Sequence, residues 1–191
     1  ALFDFDGTLY PKDSFTGFIF FTLSKRHIVR KGLKILPWIQ AYYLNIYPAP
    51  SMRKKLFKAM FKDAKASELQ DIAEEYAYQL MSQLDVKIYQ QLLDHQAQGD
   101  DVVLVSASVD IYLEIICYLL KIDLICTGTE ILNGQFTGTY STPDCSSEQK
   151  KIRVLEKYNL ERYQNIYAYG NSEEDLELLS LADFKYMVRK D

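Results

Sequence analysis

Asp4 and Asp6 stand one residue apart at the end of a short apolar run, and Gly7 follows them. Apolar runs of this length read as buried strands of a parallel sheet. Ligands of such sheets sit outside the carboxyl ends of the strands, where both aspartates fall. Strand alternation puts Asp4 and Asp6 on one side and Phe3 and Phe5 on the other. Two carboxylates this close repel each other, so they need a cation, a shared proton or both. One of them can act as a nucleophile and form an acyl phosphate. The other can protonate a leaving oxygen and then activate water. An isolated D-x-D-G reads equally as an acidic surface loop. The full string Asp4-Phe5-Asp6-Gly7-Thr8-Leu9 behind an apolar run is far more specific.

Further polar groups fall at the ends of other expected strands. Asp101 to Ser106 reads as a second buried strand running into Ala107 and Ser108. Asn165 to Gly170 reads as a third, followed by Asn171 and Asp175 at a helix start. A helix from Ser146 to Tyr158 carries Lys150 and Lys151 in its first turn. A hydroxyl and a lysine can hold phosphate oxygens, and Mg²⁺ can neutralise their charge.

The elements between these points set the architecture. Asp13 or Ser14 could cap a helix from Phe15 to about Arg26. Ile28 to Tyr47 is a helical stretch interrupted by Pro37, and Ser51 could cap the next helix, Met52 to Lys62. From Ser67 to Leu84, Leu69, Ile72, Ala73, Tyr76, Leu80 and Leu84 share one helical face. Asp85 to Gln98 is another helix, ended by Gly99. Helix then follows at 110–121, a short strand at 123–126, and a hairpin around Asn133-Gly134. A last strand runs from Asp183 to Val188. Strands and helices alternate from about residue 85, which predicts an α/β fold with a doubly wound parallel sheet. The expected organisation is a core of residues 1–9 and 85–191 with an all-helical cap inserted at 10–84.

Composition narrows the partners. The 191 residues carry a net charge of −4, which gives no reason to expect nucleic acid. The apolar stretch around Trp38 is too short to span a membrane, a role that needs about 20 residues. Its neighbouring run of Lys25, Arg26, His27, Arg30 and Lys31 fits a membrane surface less well than a bundle helix. Three cysteines without metal spacing point to a reducing compartment, the cytoplasm. No signal peptide is visible. His27 and His95, in charged helical surroundings, are expected at the surface.

The DFDGTL string, the segment ending Ser106-Ala107-Ser108, the Lys150 region and Tyr169-Gly170-Asn171-Ser172-Glu173-Glu174-Asp175 resemble the four motifs of the haloacid dehalogenase superfamily. The closer resemblance is to its phosphoserine-phosphatase-like branch, subfamily IB, which carries a helical C1-type cap between the first and second motifs. Phe136-Thr137-Gly138 followed by Cys145 also looks like that branch. The resemblance implies a Mg²⁺-dependent phosphatase working through an aspartyl phosphate. Asp4 would be the nucleophile and a metal ligand. Asp6 would be the general acid and base, with its carbonyl on the metal. Ser106 would bind the phosphoryl group, with the amides of Ala107 or Gly7 assisting. Asp175 would support the metal, directly or through water, unless it is only a favourable charge at a helix start. Lys150 or Lys151 would be the phosphate-binding lysine, with the spacing favouring Lys150.

Asn171 departs from the pattern, which has an aspartate directly after the glycine. Its carbonyl oxygen could still ligate a metal, with one negative charge fewer. A small phosphorylated metabolite, phosphoserine or a phosphorylated amino alcohol among the candidates, is the expected substrate. Asp13 could bind a substrate amine or merely cap its helix. Arg53 could bind a substrate carboxylate or a second phosphate, or be a solvated surface residue. Two other classes compete: a catalytically impaired pseudo-enzyme that binds phosphate or a partner, and a receiver-like switch. Intact Asp4, Asp6 and Ser106 speak against the first, and the long helical insertion against the second.

Overall fold

The computed structural model describes residues 1–188 apart from 27–35, 43, 45 and 47. Among the described residues, a parallel sheet has the strand order β3-β2-β1-β6-β7. Its strands are β1 (Leu2–Phe3), β2 (Val103–Val109), β3 (Asp123–Thr127), β6 (Tyr167–Gly170) and β7 (Phe184–Met187). β1 is central: Leu2 is in register with Val103 on one side and Ala168 on the other. From β1 the chain moves toward β2, whereas from β6 it moves toward β7. The crevice at this reversal is where open α/β sheets bind ligands.

Alternation along the strands supplies two cores. Phe3, Leu104 and Tyr169 face one apolar cluster, and Leu2, Val103, Val105 and Ala168 face the other. α6 (Asp110–Leu120) covers the first side with Tyr112, Leu113 and Ile116. α7 (Glu148–Lys157) and α8 (Leu176–Ser180) cover the second with Val154, Leu178 and Leu179. The doubly wound α/β expectation holds. The hairpin of β4 (Thr129–Leu132) and β5 (Gln135–Tyr140) turns at Asn133-Gly134, where both φ angles are positive.

The chain leaves the sheet at Leu9 and returns at Asp85, whose N–H donates to the Leu9 carbonyl at 2.9 Å. Between them lie α1 (Ser14–Arg26), a helical segment at 36–42 (α2), α3 (Ala49–Phe61) and α4 (Ala66–Met81). Most of the expected stretch from Ile28 to Tyr47, with His27, lies outside the described residues. α4 buries Leu69, Ala73, Tyr76 and Leu80, the face its periodicity predicts. α3 rests on β5, and its link to α4 runs along that strand, with Asp63 N–H on Phe136 O and Phe136 N–H on Ala64 O. Phe15, Phe18, Phe57 and Phe61 of this segment share one apolar cluster with Phe3 and Phe5. No helix among the described residues is long and apolar enough to cross a membrane.

Two local expectations are corrected. Ser51 lies inside α3, which starts after Pro48 because proline suits the first turn. His95, on α5 (Val86–Gln98), is buried rather than exposed. Its ring bonds Asp100 through Nδ1 at 2.7 Å and Tyr169 through Nε2 at 3.0 Å. The charged residues around it on α5 face water, while His95 itself turns toward the aromatic side chains of β6. α5 otherwise follows its sequence signals: Asp85 accepts from Lys87 N and Ile88 N, and Gly99 closes it at φ 81°.

Candidate active site

β1 ends after Phe3, and Asp4 N–H still reaches Tyr169 O of β6 at 2.9 Å. The carboxylate of Asp4 is therefore fixed at the sheet's switch point. Gly7 then turns the chain with φ 84°. A Cβ there would also lie 2.1 Å from Asn171 Nδ2, so glycine is required twice over. Thr8, buried beneath the turn, donates to Asp4 Oδ2 at 2.9 Å and lies 3.3 Å from Asn171 Oδ1.

Lys150 settles which lysine enters the site. Its Nζ is buried between Asp4 Oδ1 at 2.5 Å and Asp175 Oδ1 at 2.6 Å. Lys151 points away, to Glu177 and Ser180 on α8. The first turn of α7 is tied down beside the motif it serves, because Ser147 N–H donates to Glu174 O at 3.0 Å. Ser147 holds φ 48° there, an uncommon conformation for a non-glycine residue. Burial disfavours a charged Lys150, but Asp4 and Asp175 outweigh it and keep its pKa above that of an ordinary lysine.

Asp175 has little freedom. Its Oδ2 accepts from Asn171 N, Ser172 N and Ser172 Oγ at 2.9–3.0 Å, and its Oδ1 accepts from Lys150. Burial would raise its pKa, yet Lys150 and these bonds bring it below the usual carboxylate range. Asp4 goes the other way. Burial is the largest effect, only partly offset by Lys150, and pushes it up to about 6.

Asp6 faces a different set of partners. Oδ1 accepts from Ser14 N at 2.6 Å, at the start of α1, and Oδ2 from Ser108 Oγ at 2.5 Å. Ser108 Oγ lies 3.3 Å from Ser14 Oγ, which lies 2.9 Å from Tyr112 OH. Burial, then the charge of Asp13, pushes Asp6 up to about 7. A carboxyl raised this far can hold a proton near neutrality and pass it on. Ser106 is buried, and its Oγ accepts from Ser108 N at 3.1 Å. The register of β2 against β3 slips between Ser106 and Val109, a bulge that re-aims this segment.

Asp4, Asp6, Asp13, Arg53, Ser106, Ala107, Lys150, Asn171 and Asp175 all line one cavity of about 580 Å³. The structure thus brings together every site residue expected from sequence. Asp13 makes the cap that was one of its two expected roles, accepting from Thr16 N and Thr16 Oγ1 at the start of α1, and Arg53 has closer ties than foreseen. Arg53 is not a solvated residue: it is buried and forms a bidentate pair with Asp144, at 2.9 Å from Nε and 2.8 Å from Nη2. Nη2 also reaches Glu174 at 3.3 Å. Thr8, Ser108, Tyr112 and Asp144 were not singled out by sequence. Two of them carried a signal: Thr8 belongs to the DFDGTL string, and Ser108 shares Ser106's side of a strand.

The donor set suits Mg²⁺ in kind. Asp4 and Asn171 present oxygens around the same Thr8 hydroxyl, and hard divalent cations take oxygen ligands with few protein contacts. Among the described residues there is no cluster of three acidic, histidine or cysteine side chains that could hold a metal without such an amide.

The raised pKa of Asp6 has a consequence for stability without metal. Below about pH 4, the folded and unfolded states both carry its proton. As pH rises through about 7, the folded state loses a proton that the unfolded state gave up earlier, and this stabilisation disappears. In EDTA, Asp6→Asn is expected to stabilise the protein by about 1–2 kcal/mol at pH 8, or roughly 3–6 °C in Tm, and to have little effect at pH 4. Calorimetry at both pH values checks this; an equal shift at both would show that burial of the charge is not the cause.

The haloacid dehalogenase-like hydrolase family model matches residues 1–180. The chain is 26% identical over 218 residues to the histidinol-phosphatase of Neisseria meningitidis, covering all of this chain and 90% of that one. A Bordetella pertussis protein of unknown function shares the fold with a TM-score of 0.82 and 24% identity, over 96% of this chain and 86% of that one. A phospho-aspartyl intermediate analogue of phosphoserine phosphatase shares it with a TM-score of 0.63 and 19% identity, over 96% and 83%. With nearly its whole length matched, the chain belongs to the haloacid dehalogenase-like hydrolase family.

Proposed function

We propose that this hydrolase is a phosphatase that cleaves a small phosphomonoester through an aspartyl phosphate on Asp4. The observation that carries this reading is one cavity lined by two aspartates in opposite roles. Asp4 is held ready by Lys150 and Thr8, and Asp6 is a half-buried acid poised near neutrality. The names of the Neisseria relative and of the phosphoserine phosphatase neighbour support the same reaction class.

In the first step a carboxylate oxygen of Asp4 attacks phosphorus and the ester P–O bond breaks. Asp6 gives its proton to the departing alkoxide. In the second step water attacks phosphorus and passes a proton to Asp6, releasing inorganic phosphate and the Asp4 carboxylate. Lys150 and Ser106 hold the phosphoryl oxygens throughout. Asp4, Asn171 and the Asp6 carbonyl would hold Mg²⁺, with Asp175 acting behind them through its bonds to the 171–172 backbone. Bound there, Mg²⁺ supplies charge neutralisation for the phosphoryl group. Residues 10–84 form a helical cap over a core of 1–9 and 85–191, a division supported by the Leu9–Asp85 closure. Three buried free thiols suit the reducing cytoplasm.

The test is phosphate release from a panel of small phosphomonoesters with Mg²⁺ or EDTA, using Asp4→Asn as the control. Mg²⁺-dependent release that the variant abolishes is expected; no release from any ester overturns the reading. Asn171 separates an active enzyme from an impaired one. Asn171→Asp adds a ligand charge and is expected to lower the Mg²⁺ concentration for half-maximal thermal stabilisation about tenfold. An unchanged midpoint would remove Asn171 from the metal site.

A further inference from the structure

The cavity as a whole has an unusual charge balance. Among its lining residues acids outnumber bases six to three. The bases are already committed or exposed: Lys150 lies between Asp4 and Asp175, and Lys12 is exposed. Arg53, only 6% exposed, is shared by Asp144 and Glu174, two acids against one guanidinium. To take a substrate carboxylate, Arg53 would have to leave a buried bidentate pair and strand Asp144 without its partner. Asp13 and Glu173, by contrast, line the cavity with no basic partner among the described residues. Asp13 spends bonds on capping α1, but a carboxylate keeps further lone pairs for an ammonium group.

We propose that the substrate is an ammonium-bearing phosphomonoester without a carboxylate, a phosphorylated amino alcohol. Asp144, by occupying Arg53, is the residue that excludes phosphorylated amino acids. The inference rests on the phosphatase reading and names the substrate class of the same site. An acidic wall repels a carboxylate and attracts an ammonium, so complementarity acts on both sides of the choice.

Three esters of nearly equal size test it: ethyl phosphate, O-phosphoethanolamine and O-phosphoserine. In the wild type, kcat/KM for O-phosphoethanolamine should exceed that for each of the other two at least about tenfold. Asp144→Asn should raise the ratio of O-phosphoserine to O-phosphoethanolamine about tenfold, through KM for O-phosphoserine. A wild type that prefers O-phosphoserine or ethyl phosphate, or a ratio that Asp144→Asn leaves unchanged, overturns the proposal. Should Asp144→Asn not fold, the double variant Arg53→Met/Asp144→Leu serves, because it removes the buried pair as a whole and leaves no stranded carboxylate at 144. The ratio should then stay within about threefold of wild type, and a selective loss on O-phosphoserine would mean that Arg53 binds carboxylates after all. Calorimetric binding of the same esters to Asp4→Asn reads the preference without turnover. If no ester, p-nitrophenyl phosphate included, releases phosphate, the phosphatase reading fails by itself and the binding order still decides this one.

Discussion

Asp4→Asn and Asp6→Asn should both fail as phosphatases, but with different dependence on the leaving group. Loss of Asp4 removes the atom that bonds to phosphorus, so phosphate release should fall at least about 10³-fold for every ester. Asp6 acts on the leaving oxygen and then on water. With an alkyl ester, Asp6→Asn should lose roughly 10²–10⁴-fold, because an alkoxide leaves poorly without a proton. A p-nitrophenolate leaves without that help, so the first step should survive with p-nitrophenyl phosphate. The second step still lacks its base. A burst of about one equivalent of p-nitrophenol, followed by slow turnover, is therefore expected for Asp6→Asn and absent for Asp4→Asn. Rapid-mixing absorbance measures it. Equal, burst-free loss in both variants would mean that the two aspartates do not divide the work in this way.

The placement of the two aspartates was visible in the sequence because it depends on local features, whereas the roles proposed for each came from the family resemblance. Strand alternation and Gly7 place Asp4 and Asp6, and the apolar run before Ser106 puts that hydroxyl at another strand end. The conditions that separate the two acids were not visible. Burial raises both acids, a nearby Asp13 raises Asp6 further, and the partners that oppose these shifts are distant: a lysine 146 positions from Asp4 and a serine 102 positions from Asp6. Arg53 shows the same limit. The sequence left it between a substrate-binding cation and a solvated surface residue, and only the β5–α7 connection brings Asp144 to it. His95 was misread for the same reason, since its partner Tyr169 is 74 positions away. Periodicity shows which face of an element is buried, but a polar side chain's partner depends on topology.

Lys150 and Lys151 give this distinction its largest energetic contrast. One position apart on α7, they differ by about 100° around the helix, enough to place one in the site and one at the surface. Lys150→Met should cost about 3–5 kcal/mol, because it leaves Asp4 and Asp175 buried against each other without their shared cation. Lys151→Met should cost about 0–1 kcal/mol, the range of an exposed pair, since its bridge to Glu177 is open to solvent. The double variant Lys150→Met/Asp175→Asn removes one of the stranded charges and should recover part of the loss. Denaturant melts in EDTA at pH 8, where both acids are ionised unless they share a proton, measure all three. If the double variant is no more stable than Lys150→Met, the cost lies in packing around the lost ammonium rather than in repulsion between the carboxylates. In that case Lys150 would count as a phosphate ligand but not as the clamp that lets two buried acids coexist at the sheet's edge.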